Sequence, residues 1–398
     1  MAAASRRPRR AAPPRAGALD AAADDDSPHM PVALLLAQAR LAALEDFRAF
    51  ASELNSAPLL GGGGFDLPRA LAHVARFANP SYEPDEAAGL VASLARAVAQ
   101  RAEAMAGAQR EQDAPSEAAH PENVPSSEAR ASEDAARRLL ALVSVMEEAG
   151  FAVNHADPYD PSNTYIDSLL DRRLGTPRSL ALLWLAVSRA SGLPLAPWSH
   201  PGDGVLLKLQ LPAGAGGALL ADPSNPGSLL LLPDAEDDAP EPDGAPAHWH
   251  GAGGSESWSD SMRLRESKLG GFGVKVLGPA AAAELQPMPL RRLLGYALMD
   301  AKKTYLMTGL MEEALGIIRY MRALEPWSAG DLRDEGLVLY ALGRHQEAYV
   351  PLATYLEAAG PGASDAAEIS RVVALLESMR EGSGGAGGSG GSGGAMEA

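Results

Sequence analysis

The sequence has no cysteine among its 398 residues, and aromatic residues make up only 5% of it. Without cysteine there are no disulfides, no thiolate metal ligands and no cysteine nucleophile. No apolar run approaches the roughly 18 residues that a membrane-spanning helix needs, so no membrane span is predicted. Lysine and arginine total 34 against 51 aspartates and glutamates, and the net charge of −17 disfavours nucleic acid as a partner.

What is present is typical of a folded protein with flexible segments. Hydrophobic residues make up 46% of the chain, which also contains 41 glycines and 31 prolines. We expect three folded parts: an N-terminal helical part at 31–105, a core of helices and strands at 135–285, and a helical-repeat part at 286–380. We expect disordered segments at 1–30, at 106–134 and, within the core, at 234–262, and a Gly/Ser tail at 381–398.

The first residues, MAAASRRPRRAAPPRAGAL, contain five arginines and no acidic residue before Asp20. Such a stretch resembles an organelle transit peptide, and a plain basic tail is the alternative. We therefore expect an organelle location, with a chloroplast favoured over a mitochondrion and the cytoplasm as the alternative.

Apolar residues recur with the helical period in six segments before residue 195. These segments predict helices at 32–56, 67–78, 85–105, 135–149, 160–173 and 177–191. The corner RRLGTPRSL (172–180) joins the last two, with Thr176 as a cap and Pro177 at the first helical position. Short extended runs then predict a small antiparallel sheet, with strands at 205–211, 218–221 and 228–232 and a further strand at 273–277.

A repeat follows in the C-terminal part. The stretches TGLMEEAL (308–315) and LGRHQEAY (342–349) align Gly309 with Gly343 and Ala314 with Ala348, at a period of 34 positions. That period, with glycine between paired helices and a small residue where they cross, is typical of tetratricopeptide repeats. Such repeats present a groove that binds an extended peptide or a partner helix.

The central stretch YDPSNTYIDSLLDRRLGTPRSLALLWLAVSRASGLPL (159–195) resembles the SirB-type family. The stretches ARFANPSYEPDE (75–86), ADPSNPG (221–227) and LRRLLGYALMDAKKTYLMTGLMEEAL (290–315) extend the resemblance along the chain. The resemblance implies an α+β fold that is mainly helical: a transglutaminase-like domain with a small antiparallel sheet, followed by a C-terminal pair of tetratricopeptide-type repeats.

Transglutaminase-like enzymes use a cysteine at a helix start, a histidine and an aspartate. By the resemblance, the cysteine position is Pro177, the histidine position is Asp203 and the aspartate position is Asp222. Only the aspartate matches, so the resemblance implies a degenerate site that is not catalytic. No cofactor is expected.

Three features leave alternatives open. Ser179 is a hydroxyl near the helix start and could act as a nucleophile, with Asp203 or His200 as base and Asp222 as orienter, although a capping role explains it as well. Asp222 and Asn225 also fit ordinary turn chemistry in DPSNP. His248 and His250 could ligate a metal, but they have no nearby carboxylate, so no metal site is expected.

The arginines of the corner are a further candidate. Arg172 and Arg178 could bind a small anionic ligand at the Pro177 helix start. Pairing of these arginines with Asp160, Asp167 or Asp171 is the structural alternative. Together the observations predict a non-catalytic adaptor or assembly factor that binds a protein partner through the repeat groove or the degenerate cleft. The alternatives are an amide or ester hydrolase using Ser179, and a regulatory module for an anionic ligand.

Overall fold

The structure is a computed structural model, which describes residues 32–56, 66–112, 127–201, 204–211, 217–227, 229–232, 265–269, 272–360 and 362–384. Most of these residues are helical, and the strands form two sheets. No helix within these ranges is long and apolar enough to cross a membrane.

Four helices open the described chain: α1 (Val32–Ser56), α2 (Leu67–Ala75), α3 (Pro84–Gln112) and α4 (Ser127–Glu148). Asp66 caps α2, since its carboxylate accepts a hydrogen bond from the Arg69 amide at 3.2 Å. Pro68 occupies the first turn, where its missing N–H costs nothing. Helices α3 and α4 pack against each other, and α1 and α3 both pack on α2.

Helix α6 (Pro177–Ala190) is central to the fold, and every residue from Ser179 to Ser188 is buried. A helix that is apolar on all sides must be enclosed. The enclosing elements include α2, α3, α4, α5 (Ile166–Arg172) and the seven-stranded sheet. Strands β1 (Ala152–Val153) and β2 (Leu174–Gly175) form a short parallel pair beside the start of α6.

The larger sheet has the strand order β7-β8-β6-β5-β4-β3-β9. Its strands are β3 (Leu195–His200), β4 (Gly204–Gln210), β5 (Ala218–Ala221), β6 (Leu229–Leu232), β7 (Arg265–Leu269), β8 (Phe272–Val276) and β9 (Gln286–Pro287). Neighbours are antiparallel except for β6 and β8, which are parallel. Leu207 and Leu209 enter the main core, whereas Leu206 and Leu220 enter a smaller cluster on the opposite face, as the two-residue period of strands requires.

The C-terminal part is helical: α7 (Pro279–Ala283), α8 (Leu290–Met307), α9 (Met311–Leu324), α10 (Ala329–Ala341), α11 (His345–Ala359) and α12 (Ala366–Gly384). Helices α8 and α9 pair through a turn at Gly309, and α10 and α11 pair through a turn at Gly343. Their φ angles are 75° and 73°, a left-handed conformation that glycine adopts without steric cost.

Helix α9 joins two hydrophobic clusters. Ile317 and Tyr320 belong to the main cluster, which extends back to α1, while Leu315 and Ile318 belong to a second cluster with α10, α11 and α12. The contact with the N-terminal helices is close, because a Cβ added to Gly316 would lie 2.1 Å from the ring of Phe77. Helices α8 and α9 therefore share a core with the preceding part of the chain, and α9 connects that core to the cluster of α10, α11 and α12.

The structure differs from the sequence-based expectation at the ends of several segments. Helix α3 runs to Gln112 and α4 begins at Ser127, so helix enters both ends of the segment 106–134 that we expected to be disordered. Helix-forming alanine, glutamate and arginine prolong these helices without an apolar period. The sheet is also larger than expected, since β3, β7 and β9 add to the predicted strands. Residues 1–30, 234–262 and 385–398 lie outside the described ranges.

Candidate functional site

The corner before α6 depends on two unusual backbone positions. Arg173 ends α5 in a left-handed conformation, with φ 62°. Gly175 then passes close to the helix it precedes, because an added Cβ would lie 2.6 Å from Ser179 Oγ and 2.8 Å from the side chain of Leu169. Only glycine fits this approach, so the corner RRLGTPRSL packs tightly against the first turn of α6.

Thr176 and Ser179 form a reciprocal cap around Pro177. The Ser179 amide donates to Thr176 Oγ1 at 3.1 Å, and the Thr176 amide donates to Ser179 Oγ at 2.9 Å. Pro177 occupies the first helical position, which needs no N–H. These bonds satisfy backbone donors that a helix start otherwise leaves without partners.

The Ser179 hydroxyl is enclosed as well as bonded. The residue is 3% exposed, and Oγ donates to the backbone carbonyl of Asn163 at 2.7 Å. In the described chain its hydrogen-bond partners all belong to Thr176 and Asn163, and none is an imidazole or a carboxylate. A serine nucleophile needs a base within hydrogen-bond reach and space for a substrate carbonyl. The geometry therefore favours capping over nucleophilic catalysis.

The other predicted site residues are spread around the end of β3. His200 lies directly over Gly204, and its Nδ1 is 2.7 Å from the Pro201 carbonyl oxygen. Asp222 accepts from the Ser224 amide at 2.8 Å, while Asn225 is exposed in the same turn. This bond is the turn chemistry that short acidic side chains supply. Asp203 lies outside the described residues.

Arg172 is held in a polar cluster beneath the corner. Its guanidinium donates to Asp160 and, at 3.0 Å, to Asn163 Oδ1. Burial acts to raise the pKa of Asp160, but the hydrogen bonds from Arg172 and Ser162 outweigh it and hold that pKa below its usual value. Asn163 is 1% exposed and also accepts from Asn154 at 2.9 Å. Arg172 thus pairs with one of the three aspartates expected from the sequence.

Arg178 pairs across the fold. Its guanidinium donates to Asp300 of α8 at 2.5 Å and lies 5.3 Å from the ring centre of Tyr296. Asp167, another of the expected partners, instead accepts from Asn79 at 3.1 Å. The Arg178–Asp300 pair joins the start of α6 to α8.

A cavity of about 320 Å³ opens between α6, the sheet and α8. We call it the cleft, and its lining includes Arg178, Ser199, His200, Gly204, Gln286, Met288, Arg292 and Tyr296, together with the exposed Glu284. Arg178 follows the cysteine position, and His200 to Gly204 flank the histidine position. The cleft therefore lies beside two of the triad positions that the family resemblance implies.

In the described part of the chain, no group of three or more histidine, aspartate or glutamate side chains is arranged to hold a metal ion. His248 and His250, the sequence candidates, lie outside the described residues. Asn163, Tyr296 and Arg292 were not predicted as site residues from the sequence. The signal for Asn163 was its place in DPSN, where a small amide can serve several backbone and side-chain partners at once.

Comparison with known proteins shows which family and which proteins the chain is similar to. Residues 94–249 match the model of the transglutaminase-like superfamily. The chain contains a transglutaminase-like domain. It is also distantly homologous to UPF0162 proteins of Xylella fastidiosa, from strains 9a5c and Temecula1, with 30% identity over 214 residues in each case. These alignments cover 54% of this chain and 64% of each relative.

A shorter stretch is similar to a eukaryotic protein. F-box only protein 21 of Mus musculus is 39% identical over 74 residues, which are 19% of this chain and 11% of that protein. No solved structure matches the chain.

Proposed function

We propose that this protein is a non-catalytic transglutaminase-like protein, which acts as an adaptor or assembly factor by binding another protein. One observation carries the proposal: the nucleophile and base of the implied triad are replaced by Pro177 and Asp203, while Ser179, the nearest hydroxyl, is buried in a helix cap. A pseudoenzyme that keeps its cleft keeps a binding surface.

The C-terminal helices support a binding role. We interpret α8–α9 and α10–α11 as a pair of tetratricopeptide-type repeats, because Gly309 and Gly343 are 34 positions apart and have matching left-handed φ angles. Ala314 and Ala348 also match, and both are fully buried. A repeat pair is too short for an independent solenoid, which fits the core it shares with the N-terminal helices.

The two alternatives have less support. A hydrolase would need the Ser179 hydroxyl to leave both of its backbone partners and to find a base. A regulatory site for a small anion at the helix start would need Arg172 or Arg178 to exchange Asp160 or Asp300 for the ligand. The latter idea predicts a ligand-dependent rise in melting temperature that Arg178→Glu removes.

Site-specific photocrosslinking tests the adaptor role. A photoreactive amino acid replaces Met299, which lines a groove between α8, α9 and α10. In the control it replaces Val350, which is 63% exposed on α11. In an extract of the source cells, the full chain should give one heterologous adduct of defined mass from position 299 only. No adduct from that position, or the same adducts from both, would contradict the proposal.

The location remains a prediction from the first residues. We propose organelle import, with a chloroplast favoured, on the basis of the arginine-rich, acid-free stretch before Asp20. A fluorescent protein fused behind residues 1–31 should enter the organelle, and a fusion with all five of the first arginines replaced by glutamine should stay in the cytoplasm. Cytoplasmic signal from both would contradict this prediction.

A further inference from the structure

A groove along helices α8, α9 and α10 adjoins the cleft. The groove has a volume of about 380 Å³ and lies between α8, α9 and α10. Arg292 and Tyr296 line both concave regions, so they form a shared wall between cleft and groove. Together the two regions make one extended binding surface, of the shape that accepts a peptide in an extended conformation.

Tyr296 lies between two guanidinium groups at the centre of this surface. The guanidinium carbons of Arg178 and Arg292 are 5.3 and 5.5 Å from its ring centre. The Arg292 Nε also donates to the Tyr296 hydroxyl at 2.9 Å. These contacts limit the side-chain freedom of Arg292 before any partner binds, which reduces the entropic cost of pairing it with an anion.

The cations of this surface differ in their partners. Lys302 is held by Asp331 at 3.2 Å and by Asp334 at 2.8 Å. Arg333 pairs with Asp334 and Asp365, and Arg178 pairs with Asp300.

Arg292 is the exception among the cations of this surface. In the described chain it contacts Tyr296 but forms no ion pair within 4.0 Å, although Glu284 lines the same cleft. An exposed guanidinium held in this way is suited to a carboxylate, with which it forms two parallel hydrogen bonds.

The groove also offers apolar contacts beside Arg292. Met299 and Tyr296 line it from α8, and Met321 and Leu324 line it from α9. Methionine side chains adapt to ligands of different shape.

At the end of the groove, the turn that contributes Glu325 and Ser328 also carries Trp327, which is 86% exposed. Tyrosine, tryptophan, methionine and arginine are the residue types enriched at protein interfaces.

We propose that this surface binds an extended peptide segment of a partner protein, in which an acidic side chain pairs with Arg292 and a neighbouring apolar side chain lies against Tyr296 and Met299. The inference rests on the proposed adaptor function and specifies the chemistry of its partner. An internal acidic residue is expected because the surface continues on both sides of Arg292.

A displayed library of random 12-residue peptides, each fused through its C-terminus, tests the idea with the full chain as target. The fusion leaves only side-chain carboxylates available. The library should return peptides with an aspartate or glutamate at a fixed position beside an apolar residue. Synthetic copies should bind Arg292→Gln at least about tenfold more weakly than the original chain, the loss expected for a charge-assisted pair. Replacing the acidic residue of the peptide by its amide should weaken binding to the original chain by a similar factor.

Arg291→Gln is the matched control. Arg291 precedes Arg292 and has the same charge, but it donates to Asn55 at 3.1 Å and pairs with Glu325 at 3.7 Å, and its own side chain lines neither cleft nor groove. This variant should keep the original affinity. Selected peptides without an enriched acidic residue, or equal affinity for Arg292→Gln, would overturn the inference and leave the adaptor function standing. A library that returns no binding peptide would also overturn the inference, whereas photocrosslinking at position 299 decides the adaptor function separately.

Discussion

At the scale of single residues, the Ser179 hydroxyl should stabilise the fold by capping α6. This hydroxyl accepts from the half-buried Thr176 amide and donates to the buried Asn163 carbonyl, so Ser179→Ala removes one hydrogen-bond partner from each of these groups. We expect the free energy of unfolding to fall by about 1–3 kcal/mol, measured by urea titration. Ser378→Ala, at an exposed position on α12, is the control and should change it by less than about 0.5 kcal/mol. Equal effects of the two substitutions would contradict the capping role.

Asp160 gives a pH-dependent prediction. Despite its burial, the hydrogen bonds from Arg172 and Ser162 keep its pKa low in the folded state. A lowered carboxyl pKa stabilises the fold above the unfolded pKa of about 3.9, and this contribution is lost as the pH falls through the folded value. The difference in unfolding free energy between the original chain and Asp160→Asn should therefore be largest near pH 6 and shrink below pH 4. Asp171→Asn, at an exposed position on α5, is the control for the removal of one carboxylate from this part of the surface.

The contacts of a site residue could be predicted from the sequence when its partner is close in sequence, and not when it is distant. The caps at Thr176 and Pro177 follow from neighbours within one helical turn, and the sequence indicated them. Arg178 pairs with Asp300, 122 positions away, whereas the sequence suggested only aspartates close by. No local pattern carries such a pair. Arg292 and Tyr296 contact each other within one helical turn, but their place in the cleft depends on the packing of α8 against α6, which no local pattern shows.

The pairing of α10 with α11 makes a prediction at the scale of secondary-structure elements. A Cβ added to Gly336 would lie 2.4 Å from the side chain of Leu352, whereas one added to Gly330 of the same helix meets nothing within 4 Å. Gly336→Ala should therefore destabilise the protein by about 1–3 kcal/mol. Gly330→Ala should have no cost or stabilise it by up to about 1 kcal/mol, since alanine favours helix. Similar melting temperatures for the two variants would contradict this packing.

Helices and strands were predictable where apolar residues recur with a clear period. They were less predictable where contacts with distant segments determine the secondary structure. The helix α1 matches its predicted range, 32–56. Strand β3 was missed because LAPWSH contains proline and has no clear alternation. It is nevertheless a strand, because it lies between β4 and β9, and the Pro197 carbonyl accepts from the Met288 amide at 2.9 Å.

At the scale of the whole molecule, we expect the unfolding of α10, α11 and α12 to be coupled to that of the preceding part of the chain through α9. Helix α9 contributes Ile317 to one hydrophobic cluster and Ile318 to the other. Calorimetry should therefore show one unfolding transition, which both Leu169→Ala and Leu332→Ala shift downward, since each removes buried side-chain volume from a different cluster. Two transitions, each moved by only one of the substitutions, would contradict a shared core.

We propose that the protein is not catalytic and that Ser179 is not a nucleophile. Intact-mass analysis after exposure to a fluorophosphonate tests this proposal. The full chain and Ser179→Ala are treated side by side, after circular dichroism shows that both are folded. We predict no adduct on Ser179, because its hydroxyl is buried and bonded to the backbone. A single adduct that peptide mapping places on Ser179, and that is absent from Ser179→Ala, would contradict the account and establish a serine hydrolase.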